Sequence, residues 1–192
     1  MSVVLFHADI SFFSGGFAGV DVFFVISGFL ITRLIKTALE GDRFSYADFY
    51  LRRSRRLFPA LFVTLLLVWL FGALLFLPTH FERLGAALIS ALFWFSNVFF
   101  WTETGYFDAD AALKPLLHTW SLGVEEQFYL VWPTFLVLLF SFRKTALLPG
   151  IVIATVVSFA ASQYFLSHDA SAAFYLMPFR VFEFGIGALL VW

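Results

Sequence analysis

An all-α, polytopic bundle of membrane-crossing helices is the fold class this sequence predicts. Three observations carry the expectation. Hydrophobic residues make up 61% of the 192-residue chain and charged residues only 13%, with a mean hydropathy of +0.91; soluble domains carry roughly a quarter charged residues. The apolar residues gather in runs close to the ~20 needed to span a bilayer as a helix. Basic residues concentrate in two short loops, as they do on the cytoplasmic side of membrane proteins.

Taken in order, Met1–Phe6 reads as the end of one helix, closed by His7. Phe17–Ile35, Phe58–Leu77, Trp120–Phe140 and Leu147–Leu166 read as spans, and Leu84–Trp101 as a shorter apolar stretch. Pro133 is expected to bend its helix, because an internal proline removes a backbone hydrogen bond. Phe179–Trp192 begins a further span and is expected to stop within it. This gives about five to seven hydrophobic segments in one membrane unit over residues 1–192. Both chain ends are expected to cut through helices of a longer protein. No repeat is evident, and no basic leader marks a cleaved secretory signal.

Arg33, Lys36, Arg43, Arg52, Arg53, Arg55 and Arg56 place the segment 33–56 in the cytoplasm, and Arg143 and Lys144 do the same for their loop. Three full crossings between these loops would put them on opposite sides. The expectation is therefore that Leu84–Trp101 re-enters from the outer face, a course tolerated where it lines a cavity.

Absent features exclude several chemistries. Without cysteine there is no disulfide, thiolate metal site or thiol nucleophile. The four histidines are widely spaced, so no metal site is expected. A net charge of −1 leaves no footprint for nucleic acid. No GxSxG, HExxH or Walker loop occurs.

Three constellations remain. In "PLLHTWSLGVEEQFYLVWP" (115–133), helical spacing puts His118, Ser121, Glu125, Tyr129 and Trp132 on one face, with Glu126 turned away and Gln127 opposite. Ionisable groups at bilayer depth are costly and usually functional, and an acid, a base and hydroxyls on one face suit proton transfer. In "LFHADISFFSGGFAGVDVFFVISGFLIT", Asp21, Val25, Gly28 and Thr32 form a stripe whose small residues allow close helix approach. Asp21 needs a histidine or arginine partner, and His7 is suited to act as a base. In "FYLRRSRRLFP", Arg52, Arg55 and Arg56 share a face with Arg53 beside it. The cluster is either a topology anchor touching anionic lipid or a clamp for the phosphates of a ligand such as coenzyme A.

These stretches, with "SNVFFWTETGYFD" and "FRVFEFGIGALL", resemble the acyltransferase 3 family of bacterial integral-membrane O-acyltransferases, nearly end to end and in family order. The resemblance implies transfer of an acyl group, commonly acetyl, from an acyl-coenzyme A co-substrate to a hydroxyl of an envelope glycan such as lipopolysaccharide O-antigen. It implies a multi-pass protein of the bacterial inner membrane, with donor, glycan and lipid bilayer as partners and no permanently bound cofactor. His7 matches the family's essential histidine, Glu125 and Glu126 its paired glutamates, and Arg52, Arg53, Arg55 and Arg56 its donor-facing arginines. The family's arginine upstream of that histidine has no counterpart in the six residues before His7.

The implied mechanism has His7 as general base or transient acyl carrier, oriented by Asp21, Glu125 or Glu126. His118, Trp120, Ser121 and Tyr129 are candidate substrate contacts. Two other readings of the same residues stand beside it: a proton-coupled transporter, which has no need of the arginines, and a non-catalytic scaffold.

Overall fold

The computed structural model describes residues 18–104 and 114–192. His7, the helix expected over Met1–Phe6 and the loop at Ser14–Gly16 lie outside the described residues. Within them the chain is all helical: α1 (Ala18–Glu40), α2 (Tyr46–Leu75), α3 (Pro78–Leu92), α4 (Ser96–Thr102), α5 (Thr119–Phe142), α6 (Leu147–Leu166), α7 (Ala170–Tyr175) and α8 (Val181–Leu189). Four helices, those at Gly19–Glu40, Tyr46–Leu75, Thr119–Phe142 and Lys144–Leu166, are long and apolar enough to cross a membrane. At 1.5 Å per residue, the 30 residues of α2 reach about 45 Å, more than the ~30 Å hydrocarbon layer.

Helix ends follow local chemistry. Ser45 caps α2, its Oγ accepting from the Asp48 N–H at 3.3 Å. Asp169 caps α7 through the Ala172 N–H at 2.8 Å. The end of α1 closes on Asp42, which takes a left-handed conformation (φ 52°). There the Arg43 N–H bonds to the Ala38 carbonyl at 2.8 Å and the Asp42 N–H to Leu39 at 3.1 Å. This pairing satisfies helix-end carbonyls and fixes the turn.

Side-chain pairings set the helix directions. Ser27 meets Glu125 and Thr32 meets Trp132, so α1 and α5 run parallel. Tyr50 reaches the carbonyls of Tyr129 and Leu130 while Arg53 reaches Glu126, so α2 runs antiparallel to α5. The loop 41–45 and the turn at Arg143–Lys144 therefore lie at one end of the bundle, as the basic residues require.

The segment between α2 and α5 doubles back. At the α3–α4 junction, Trp94 adopts φ 63° and stacks on Phe58 of α2, ring centroids 6.0 Å apart. By Glu103 the chain has returned to Arg83 of α3, 3.7 Å away. Phe58 lies 17 residues, about 25 Å, from the outer end of α2, so the tip stops within the bundle. The expected re-entrant stretch is thus two helices, Pro78–Leu92 and Ser96–Thr102, around a turn at 93–95.

That turn is held by polar contacts to α5. Gln127 Nε2 donates to the Trp94 carbonyl and to Asn97 Oδ1, both at 2.8 Å. Ser96 Oγ donates to the Thr119 carbonyl at 2.7 Å. Gly123 makes the approach possible, since a Cβ there would stand 2.8 Å from Asn97 Oδ1.

The Gly28 stripe faces α8. A Cβ at Gly28 would stand 2.0 Å from the Phe184 carbonyl oxygen, and one at Gly187 would stand 1.8 Å from that of Val25. Facing glycines let the two backbones touch. The chain from Arg180 to Trp192 then runs beside α1 from Asp21 to Lys36, where the Lys36 ammonium sits 4.0 Å from the Trp192 ring. The nine residues of α8 are about 14 Å long, short of a full span. Phe24, Phe128, Trp132 and Phe184 form the buried aromatic centre between α1, α5 and α8.

Candidate functional site

Two polar nodes sit among these apolar side chains. The deeper node lies on α5. Glu125 is buried, and its Oε1 accepts from Ser27 Oγ at 2.8 Å and from the Tyr129 hydroxyl. One turn of helix places Tyr129 above Glu125, and the parallel course of α1 supplies Ser27. Glu126, one residue on, points to α2 and forms an ion pair with Arg53 at 3.0 Å. The Arg53 guanidinium also lies over the Tyr129 ring, 3.5 Å from its centroid, within cation–π range. Its Nε is buried without a hydrogen-bond partner.

The second node lies nearer the start of α1. Arg180 Nη2 binds Asp21 Oδ1 at 2.6 Å and its Nη1 binds Glu183 Oε1 at 3.0 Å. The guanidinium is enclosed by Phe24, Trp120 and Phe174, each 5.6–5.8 Å from its centre. Glu183 Oε2 is buried without a partner. Among the described residues the partner of Asp21 is Arg180, 159 positions away in the chain.

The predicted site residues separate as follows. Arg53, Glu126, Glu125 and Tyr129 are brought together, and Asp21 and Trp120 meet around Arg180. Arg52, Arg55 and Arg56 stay exposed on α2, so the four arginines divide, with Arg53 turned inward. His118 is exposed at the start of α5, where Ser121 Oγ donates to its carbonyl at 3.2 Å. The protein that does cover the His118 ring lowers its pKa, opposed by a hydrogen bond with the Pro115 backbone. His7 lies outside the described residues.

Sequence reasoning passed over Arg180, Glu183, Ser27 and Asn97. The first two carried a signal: an arginine and a glutamate three apart in the apolar run "FRVFEFG". Ser27 and Asn97 gave none, because a lone small polar residue in a span is common.

A cavity of about 190 Å³ adjoins the deeper node, between α2, α5 and the turn of the hairpin. Tyr50, Ser54, Glu126 and Gln127 supply its polar lining; Phe58, Trp94 and Leu130 are among its apolar lining. Among the described residues no group of three or more histidine, aspartate or glutamate side chains could hold a metal ion.

Four helices long and apolar enough to cross a membrane, with paired charges held between them, are those of an integral-membrane protein. Residues 1–191 match the acyltransferase domain family, and the chain belongs to that family.

Among its relatives, the peptidoglycan O-acetyltransferase OatA of Listeria monocytogenes is 36% identical over 200 residues, covering 100% of this chain and 32% of that protein. The O-acetyltransferase OatA of Staphylococcus aureus is 31% identical over 194 residues, covering 99% of this chain and 32% of that protein. An uncharacterized protein of Haemophilus influenzae is 37% identical over 180 residues, covering 88% of this chain and 72% of that protein. The chain thus spans about a third of the length of the two O-acetyltransferases. No solved structure matches it.

Proposed function

We propose that this acyltransferase domain serves a bacterial inner-membrane enzyme that moves an acetyl group from acetyl-coenzyme A to a hydroxyl of an envelope glycan. The observation that carries the donor assignment is the exposed basic end of α2. Arg52, Arg55 and Arg56 stand free of carboxylates among the described residues, at the end of the bundle that both basic loops mark as cytoplasmic. Arginine forks match phosphate oxygens in pairs. The acyl thioester reaches inward beside Arg53 and Glu126, where the 190 Å³ cavity suits a short acyl group.

His7 takes the proton of the acceptor hydroxyl as general base, or carries the acyl group between donor and acceptor. As the hydroxyl oxygen attacks, the thioester carbon–sulfur bond breaks and coenzyme A leaves as its thiol. The name of the Listeria monocytogenes relative makes peptidoglycan the first acceptor to test; lipopolysaccharide O-antigen is the second.

The test is acetate released by mild base from glycan purified after expression. His7→Ala should abolish glycan acetylation while the protein still inserts. His7→Gln, which keeps hydrogen bonding but cannot act as the base, should fail as well. Undiminished acetate in either variant removes His7 from the mechanism. Labelled acetate in neither peptidoglycan nor lipopolysaccharide, with wild-type protein present, overturns the acceptor assignment.

A further inference from the structure

A second basic constellation lies across α1 from α8, assembled from parts of the chain that sequence spacing does not bring together. Arg33 on the last turns of α1, Arg43 in the loop and Arg52 on α2 line one groove of about 640 Å³. Thr37 lies among them, and Leu30 and Leu34 continue the groove along α1 as an apolar wall. Among the described residues none of the three arginines is ion-paired. Three like charges in one groove repel one another.

The local backbone builds this convergence. Asp42, in its left-handed conformation, reverses the chain at the end of α1, and the Arg43 N–H is fixed to Ala38. Arg43 then folds back over Gly41, where a Cβ would stand 3.1 Å from Arg43 Nε and 3.3 Å from Nη2. Ser45 starts α2 at once, which leaves Arg52 two turns above the loop.

We infer that Arg33, Arg43 and Arg52 form a phosphate-binding site, open at the cytoplasmic end of the bundle, for a ligand with an apolar portion that lies against Leu30 and Leu34. Guanidinium groups from three segments surround a tetrahedral anion in a way that one helix face cannot. Arg52 thereby links Arg33 and Arg43 to the basic end of α2. The phosphate is that of the coenzyme A donor or of an anionic lipid head group; the first source rests on the function proposed above, the second does not.

The test compares wild type, an Arg33→Gln/Arg43→Gln variant and the matching lysine variant, all purified in detergent. Binding of coenzyme A is measured directly, and binding of phosphatidylglycerol by exchange from mixed micelles. The glutamine variant should lose at least about tenfold in affinity for one of the two ligands, which a single lost contact of 1.4 kcal/mol would produce. The lysine variant should recover that affinity only in part, because lysine keeps the charge and loses the fork. Loss confined to coenzyme A assigns the donor; loss confined to phosphatidylglycerol assigns the head group. Unchanged binding of both in the glutamine variant, with its helix content intact by circular dichroism, overturns the site. Since binding is read without turnover, a protein that transfers no acetyl group fails the proposed function and leaves this result standing.

Discussion

Replacing Glu126 with Gln removes the charge that Arg53 faces inside the bundle. The pair has one charge-assisted contact at 3.0 Å, and the two side chains are only 26% and 14% exposed. Hydrogen bonds to charged groups contribute about 1.5–3 kcal/mol. The partial exposure of Arg53 places the expected loss near the lower half of that range, about 2 kcal/mol. Arg53→Met should cost more, because it also abolishes the contact over Tyr129, worth about 0.5–2 kcal/mol. The informative variant is the double one. With both charges gone, neither leaves an unpaired ion in the interior, so the double variant should be more stable than the sum of the single losses implies. The coupling should be about 2 kcal/mol, a factor of more than ten in the unfolding equilibrium. Reversible unfolding in mixed dodecylmaltoside–SDS micelles, followed by tryptophan fluorescence, measures all four corners of the cycle. Additivity within about 0.5 kcal/mol would refute the claim that the ion pair fixes α2 against α5.

Other contacts give separate expectations. Gly187→Leu should force α1 and α8 apart and destabilise the bundle more than Gly85→Leu, because the Gly187 Cβ position overlaps the Val25 carbonyl whereas nothing lies within 4 Å at Gly85; thermal unfolding in detergent ranks the two. Thr32→Val removes the 2.8 Å bond from Trp132 Nε1 and leaves a buried donor unpaired, at a cost of about 1–3 kcal/mol; Trp132→Phe in the same background should show little further loss. Asp42→Gly should stabilise the α1–α2 turn by a few tenths to about 1 kcal/mol, because glycine takes positive φ without strain; an unchanged or lower unfolding midpoint would count against it. Reporters fused after Arg53 and after Lys144 should both read cytoplasmic and one after His80 external, and an external reading at Lys144 would make residues 78–103 a full crossing.

The sequence by itself determined the helical class, the positions of the four long spans and the gathering of the basic loops at one end of the bundle. These follow from hydropathy and charge, which act locally and need no knowledge of neighbours. It also marked Glu125 and Glu126 as costly charges at that depth, and Asp21 as one that required a partner. The charge conflict between the two basic loops even pointed to re-entry near 84–101, because an odd number of crossings cannot place both on one side. Which partner each charge takes was decided only in three dimensions. Asp21 meets Arg180 across 159 residues, Arg53 leaves its cluster for Glu126, and Arg52 joins Arg33 and Arg43. The turn at Trp94 likewise depends on Gln127, which donates to the Trp94 carbonyl, and on Ser96, which ties it to Thr119. Helical periodicity states which face a side chain occupies, but not which helix stands opposite, because that depends on how glycines such as Gly28, Gly123 and Gly187 let particular backbones approach.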